Sequence, residues 1–186
     1  KEYSTYLVPG FIDSHIRFED SLLSPLEFTK LALRSGVTTI VEDCSTFMKV
    51  MGHDAVKYLH NTFNKLPIEY YYLYPINVET RKLESGPENP KHDDILAALK
   101  AKNCLGLTQL NDVRKLKSND PTLLKKMNVA KSIEKPIVSN IPKIHFTEMG
   151  NFVQLGVRAD IGSNIYQEAF EKACYGMKIK IVEGTK

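Results

Sequence analysis

The sequence has few cysteines, no long hydrophobic run and no strong excess of charge. Its three cysteines, Cys44, Cys104 and Cys174, lie far apart, and an odd number without a close pair indicates buried, reduced thiols in a cytoplasmic protein. No apolar run is long enough to cross a membrane, which argues against a membrane protein. There is no secretory signal, and the first residue is Lys rather than Met, as in a piece of a longer protein.

The net charge of the chain argues against a further class of protein, the nucleic-acid-binding proteins. The chain carries 25 basic and 22 acidic residues, for a net charge of +3. This balance is too mild, and the charges too scattered, to indicate nucleic-acid binding. What remains is an ordinary globular composition of 186 residues, 42% hydrophobic and 25% charged. We predict a single domain that spans residues 1–186.

Apolar runs rich in β-branched residues alternate with segments of helical period. The predicted strands are Val8–Ser14, Val37–Asp43, Glu69–Tyr74, Leu105–Gln109, Pro136–Asn140, Val157–Asp160 and Met177–Glu183. The predicted helices are Pro25–Ser35, His53–Asn64, Asp93–Lys102, Pro121–Ser132, Phe146–Leu155 and Tyr166–Tyr175. The loop Ile76–Pro90 has no periodicity, and a loop of this length is typically functional or mobile. The alternation predicts an α/β fold, a TIM-barrel-like repeat of about seven βα units with parallel strands.

Polar side chains cluster where the first predicted strand ends. Asp13, His15, Arg17 and Glu19 occupy alternate positions, so they share one face if the strand continues through them. In a βα barrel, the carboxyl ends of the strands are where sites are built. We therefore expect His15 and Arg17 to point the same way, into a site.

The stretch Pro9–Ser21 resembles the first-strand motif of the amidohydrolase superfamily, in which Pro-Gly-Phe-Ile-Asp leads into a metal-binding His-x-His pair. The continuation Leu22–Phe28 resembles the adenine deaminases of that superfamily. The resemblance implies an amidohydrolase-type barrel that lacks the last strand and the small β domain. It extends through the segments Thr38–Ser45, Val50–Gly52, Leu83–Gly86, Leu105–Gln109, Lys135–Pro142, Gly156–Gly162 and Met177–Gly184.

The resemblance also identifies the positions at which the family binds its metal. Only His15 keeps a strong metal ligand, because the other family-equivalent positions are occupied by Arg17, Ser45, Gln109, Asn140 and Ile161. A guanidinium group has no lone pair for a cation, and an isoleucine side chain has no donor atom. We therefore expect no cofactor and no catalytic residue; an active protein would need a divalent metal such as Fe, Mn or Zn.

Two roles for Arg17 remain open. It can occupy the place of the lost cation and pair with Asp43, Glu19 or Asp160, or it can form the floor of a pocket for a purine or another small anionic ligand. The predicted pocket comprises Asp13, His15, Arg17, Glu19, Asp43, Glu84 and Asp160.

Three functional hypotheses follow. The first is a pseudoenzyme with a binding or assembly role, and the alternative is an active hydrolase with a rearranged site that deaminates adenine to hypoxanthine and ammonia. A purely structural or partner-binding domain is a third hypothesis. Open edges of an incomplete barrel also predict that the first and last strands pair with each other, with a partner chain as in a homo-oligomer, or with material outside this sequence.

Overall fold

Seven strands pair side by side in the order in which they occur along the chain, and every pair of neighbours is parallel. The structure is a computed structural model that describes residues 5–78, 88–142 and 146–181, without the side chains of residues 146 and 147. The strands are β1 (Phe11–Ile16), β2 (Val37–Asp43), β3 (Glu69–Pro75), β4 (Cys104–Leu110), β5 (Ile137–Ser139), β6 (Val157–Asp160) and β7 (Lys178–Ile179).

Helices connect successive strands and cover one face of the sheet. They are α1 (Pro25–Arg34), α2 (Ser45–Met51), α3 (Asp54–Phe63), α4 (His92–Lys100), α5 (Val113–Lys117), α6 (Pro121–Ser132), α7 (Phe146–Gln154) and α8 (Tyr166–Cys174). A single 3-10 turn, Phe18–Ser21, follows β1. None of the helices in the described residues is long and apolar enough to span a bilayer.

The sheet curls into a half-barrel, which confirms the predicted fold class. Inside the curl, the small buried cluster Val41, Leu73, Val138 and Ala159 packs with Tyr71 and Ile161. The larger core lies between the sheet and the helices and contains Ile40, Tyr70, Tyr72 and Leu107. Because successive residues of a strand face opposite sides, these two clusters show which side chains point into the curl.

Local sequence signals explain where several elements begin. The Ser24 hydroxyl accepts a hydrogen bond from the Glu27 amide (3.3 Å), Pro25 occupies the first turn of α1, and Gly36 follows the helix with φ +82°. At α6, the Asp120 carboxylate caps the Leu123 amide at 2.8 Å. These starts agree with the sequence analysis, as do the bounds of β2, β6 and α6.

Other bounds differ from the prediction. The first strand was predicted at Val8–Ser14 but runs from Phe11 to Ile16, because its pairing with β2 starts only where the Phe11 amide donates to the Gly36 carbonyl (2.8 Å). Helices α2 and α5 were not predicted, since one or two turns are too short to show a hydrophobic period. Of the predicted last strand Met177–Glu183, Lys178–Ile179 is paired and residues 182 and 183 lie outside the described residues, as does much of the Ile76–Pro90 loop.

The three cysteines are free, as expected for reduced thiols. Cys44 and Cys104 are buried as predicted. Cys174 is exposed, because it is the last residue of α8 and lies on the outer surface of that helix.

Candidate functional site

Polar residues gather where the carboxyl ends of the strands meet, and Asp43 is at the centre of this group. It ends β2 with its side chain on the inner face, the same face as Val41. One carboxylate oxygen, Oδ1, accepts from the Ser45 amide (3.0 Å), and the other, Oδ2, accepts from Gln109 Nε2 (2.8 Å) and Thr108 Oγ1 (3.3 Å). Asp43 is fully buried, so these donors hold a desolvated carboxylate in one orientation.

His15 lies beside Asp43 on the neighbouring strand. Its Nε2 atom is 3.6 Å from Asp43 Oδ2, and its buried Nδ1 atom has no hydrogen-bond partner among the described residues. Burial lowers the pKa of His15, and the charges of Lys180 and Arg17 lower it further, while Asp43 and Asp13 oppose the change. The imidazole is therefore neutral at physiological pH. The position of His15 at the end of β1 is compatible with a neutral ring but did not predict it.

Gln109 turns its amide nitrogen, not its oxygen, toward this centre. Nε2 donates to Asp43 Oδ2 and also to Ser45 Oγ (3.2 Å). The Gln109 backbone has φ +61°, in the left-handed region that is uncommon for a residue with a side chain. Such strain is found preferentially at functional sites, and here it aims the side chain at Asp43.

Asp13 and Arg17, the other two candidates near the end of β1, contact different groups. Asp13 Oδ1 accepts from the backbone amide of His15 at 3.3 Å, so it is part of the same end of β1. One of the two roles left open for Arg17 was pairing with Asp43, Glu19 or Asp160, and this prediction was wrong. Its Nε atom is 3.4 Å from Asp20 Oδ2, and the side chains are 49% and 65% exposed. The chain leaves the strand after Ile16 and enters the 3-10 turn, which brings Asp20 rather than Asp43 next to Arg17.

Asp160 was predicted to line the pocket, but its side chain lies on the other side of the sheet. Its neighbour Ala159 packs inside the curl, so Asp160 faces the helices. There it accepts hydrogen bonds from Lys172 Nζ (2.6 Å), Ser139 Oγ (2.6 Å), Ser163 Oγ (3.0 Å) and the backbone amides of Ile141 (3.3 Å) and Gly162 (2.9 Å). Its role in this structure is to tie loops and α8 to the sheet.

Glu19 also lies behind the sheet, next to a residue that sequence reasoning missed. Glu42 is fully buried on the helix side of β2, the face of Ile40, and accepts from the Phe18 amide at 3.3 Å. Burial and the nearby Glu19 raise the pKa of Glu42 to about 10. A proton on Glu42 gives the pair its hydrogen-bond donor, since the buried Glu19 oxygens have no other partner among the described residues.

Of the remaining predicted positions, Ser45, Ile161 and Asn140 lie in the described residues. Ser45 is buried and bonded to Gln109 and Asp43, as described above. Ile161 packs against the cluster inside the curl, whereas Asn140 is exposed and its backbone amide donates to the Leu110 carbonyl at 2.9 Å. Glu84 lies outside the described residues.

Lys180 belongs to this site, and the sequence analysis did not include it. Ile179 packs on the helix side, so Lys180 points into the curl, where its Nζ atom donates to the Ser14 carbonyl at 2.8 Å. Burial lowers the pKa of Lys180, and the negative charges of Asp43 and Asp13 oppose this change. The alternation of Lys178, Ile179 and Lys180 in a barrel strand was the available signal.

These side chains do not fit a divalent metal ion. Gln109 presents an amide N–H₂ group to the centre, Arg17 pairs with Asp20, and Ile161 has no donor atom. Within residues 5–78, 88–142 and 146–181, no group of three His, Cys, Asp or Glu side chains has the arrangement of a metal site.

A curled parallel sheet with its polar centre at the carboxyl ends of the strands defines a (β/α)-barrel type of protein. Residues 6–173 match the family model described as "Amidohydrolase family". The chain therefore belongs to the amidohydrolase family.

Curated relatives are similar over nearly the whole chain. An adenine deaminase of Methanosphaera stadtmanae is 33% identical over 185 residues, which cover 100% of this chain and 34% of the relative. An adenine deaminase of Methanocaldococcus jannaschii is 33% identical over 180 residues, which cover 97% of this chain and 32% of the relative. The chain thus spans about a third of the length of these relatives.

Solved structures agree on the fold alone. The TatD homologue YjjV of Escherichia coli aligns with a TM-score of 0.61 at 16% identity and covers 91% of this chain and 66% of its own. The N-acetyl-D-glucosamine-6-phosphate deacetylase of Mycobacterium smegmatis aligns with a TM-score of 0.51 at 15% identity, over 82% of this chain and 45% of its own.

Proposed function

We propose that this chain is a metal-free, adenine-deaminase-like pseudoenzyme with a binding or assembly role. The chemistry of the donor set carries the proposal: Gln109 directs amide protons to Asp43, and Arg17 and Ile161 offer nothing that ligates a cation. Without a bound ion, the site has no means of lowering the pKa of water so that hydroxide forms near neutral pH.

The similarity to adenine deaminases supports a purine or a related small molecule as the ligand. His15 with a neutral ring and an unpartnered Nδ1 atom offers a hydrogen bond to such a ligand. We place the protein in the cytoplasm, which its three free cysteines favour.

Metal analysis and an ammonia-release assay test the proposal on the same purified chain. We expect substoichiometric Fe, Mn and Zn, and no ammonia from adenine above the buffer rate, while an active adenine deaminase serves as the positive control. Stoichiometric metal together with ammonia release would contradict the pseudoenzyme and support the alternative, an active deaminase with a rearranged site.

Thermal shift measurements with adenine and hypoxanthine test the ligand. A shift that saturates with concentration supports a purine-binding pocket. The absence of any shift at millimolar ligand would leave assembly with a partner as the role of the protein.

A further inference from the structure

Lys180 joins the two ends of the sheet. It follows β7, the last strand, and its ammonium group donates to the carbonyl oxygen of Ser14 in β1, the first strand, at 2.8 Å. The two residues are 166 positions apart in the chain. No backbone pairing joins β1 to β7 in the described residues, so this side-chain hydrogen bond crosses the opening of the half-barrel.

Lys180 also brings a positive charge to a group of acidic residues. Asp43 and Asp13 both act electrostatically on Lys180, and Lys180 in turn acts on His15. Asp43 is fully buried, and three hydrogen-bond donors hold its carboxylate, but none of them carries a positive charge. Arg17 does not supply that charge, because its guanidinium group is directed to Asp20.

We propose that Lys180 is the resident cation of this site: its ammonium group compensates Asp13 and Asp43 and holds the last strand against the first, so that the site needs no bound ion. This inference rests on the metal-free site proposed above. It explains how a pocket that keeps Asp43 and His15 remains stable although the neighbouring positions have lost their ligating groups. The positive charge belongs to the chain itself, on a lysine that follows β7 and bonds to β1.

The test compares three variants of the full 186-residue chain. Lys180→Met removes the charge but keeps much of the side-chain length, and Lys180→Arg keeps the charge. Lys178→Met is the matched control, because Lys178 lies in β7, two residues before Lys180, and is exposed. Each protein is unfolded in urea, and the midpoints are compared.

We expect Lys180→Met to have a lower urea midpoint than the wild type and the Lys178→Met control. The Lys180→Arg variant, which keeps the charge, should have a midpoint close to that of the wild type. An unchanged midpoint in Lys180→Met would overturn the inference. So would an equal loss in Lys180→Arg, because the contribution of Lys180 would then not depend on its charge.

The two proposals fail in different ways. Stoichiometric metal in the wild-type protein would refute the metal-free site itself. A metal-free wild type whose Lys180→Met variant is as stable as the Lys178→Met control would refute only the role of Lys180.

Discussion

Glu42 keeps a proton at neutral pH because its surroundings disfavour the anion. Burial is the main cause, and the adjacent Glu19 adds to it. The pKa of Glu42 is about 10 in the folded chain, against an ordinary value of 4.5. Between these two pH values the folded chain holds a proton that the unfolded chain has released. The free energy of unfolding therefore falls as the pH rises through this range.

The variant Glu42→Gln should remove this dependence. A glutamine amide donates to Glu19 at every pH and never has to bind a proton, so the variant should be more stable than the wild type by about 1–3 kcal/mol at about pH 8. Near pH 5 the difference should shrink. Urea unfolding at both pH values measures it, and a difference that does not change with pH would contradict the assigned protonation.

Residues at the site show how far sequence reasoning reaches. His15, Asp43 and Gln109 lie toward the carboxyl ends of their strands, as strand alternation and resemblance predicted, and their role as a site stays a prediction. The sequence did not predict where each side chain points, because that direction depends on the backbone and on neighbours distant in sequence. Gln109 has an unexpected left-handed backbone, and Arg17 has Asp20 as its partner.

At the scale of elements, helix α8 turns a charged side chain toward the core and aromatic side chains toward solvent. Lys172 is fully buried, and its Nζ atom bonds Asp160 (2.6 Å), Glu168 (2.8 Å) and the Ile141 carbonyl (2.7 Å). Tyr166 and Phe170, in contrast, are exposed and stack on each other with ring centroids 5.8 Å apart. The helix was predicted with nearly the observed bounds, but a helical period gives no indication that the charged side faces the core.

Replacing Lys172 should loosen α8 from the sheet. In Lys172→Met, the buried Asp160 carboxylate loses its cation, and we expect a loss of about 3–5 kcal/mol in the free energy of unfolding. Lys131→Met, at the exposed end of α6, is the control and should change little. Urea denaturation gives both values. A loss no larger than that of the control would show that the ion pair contributes little.

At the scale of the whole molecule, apolar side chains are exposed on both sides of the barrel opening. Those near the first strand are Tyr6, Leu7, Val8, Phe11 and Ile12, and those near the last strand are Ile165, Tyr166, Phe170 and Ile181. Unpaired edges and apolar surface favour association. We therefore predict that the isolated chain forms an oligomer through these edges.

The variant Ile12→Lys tests this prediction. A charge on the exposed edge of β1 opposes strand pairing between copies, so the variant should shift toward the monomer. Light scattering coupled to size-exclusion chromatography gives the mass of each form. A wild-type chain that is monomeric at high concentration would contradict the prediction, and an oligomer unaffected by the substitution would place the interface elsewhere.

The overall architecture was the most predictable level. Strand–helix alternation along the chain indicated a parallel sheet of about seven βα units, and the sheet has seven parallel strands. Periodicity and turn residues are properties of short segments, so they are visible in the sequence. The hydrogen bond from Lys180 to Ser14 was not, because it depends on how strongly the whole sheet curls.

The simple order of the strands has a consequence for how the protein is made. Each strand pairs with the one synthesised just before it, so the sheet can grow unit by unit as the chain leaves the ribosome. The contact between Lys180 and Ser14 is different, because it has to wait until residue 180 has been synthesised. Until then the nascent sheet keeps its first edge open, and that is the interval in which a chaperone or a second nascent chain could capture it.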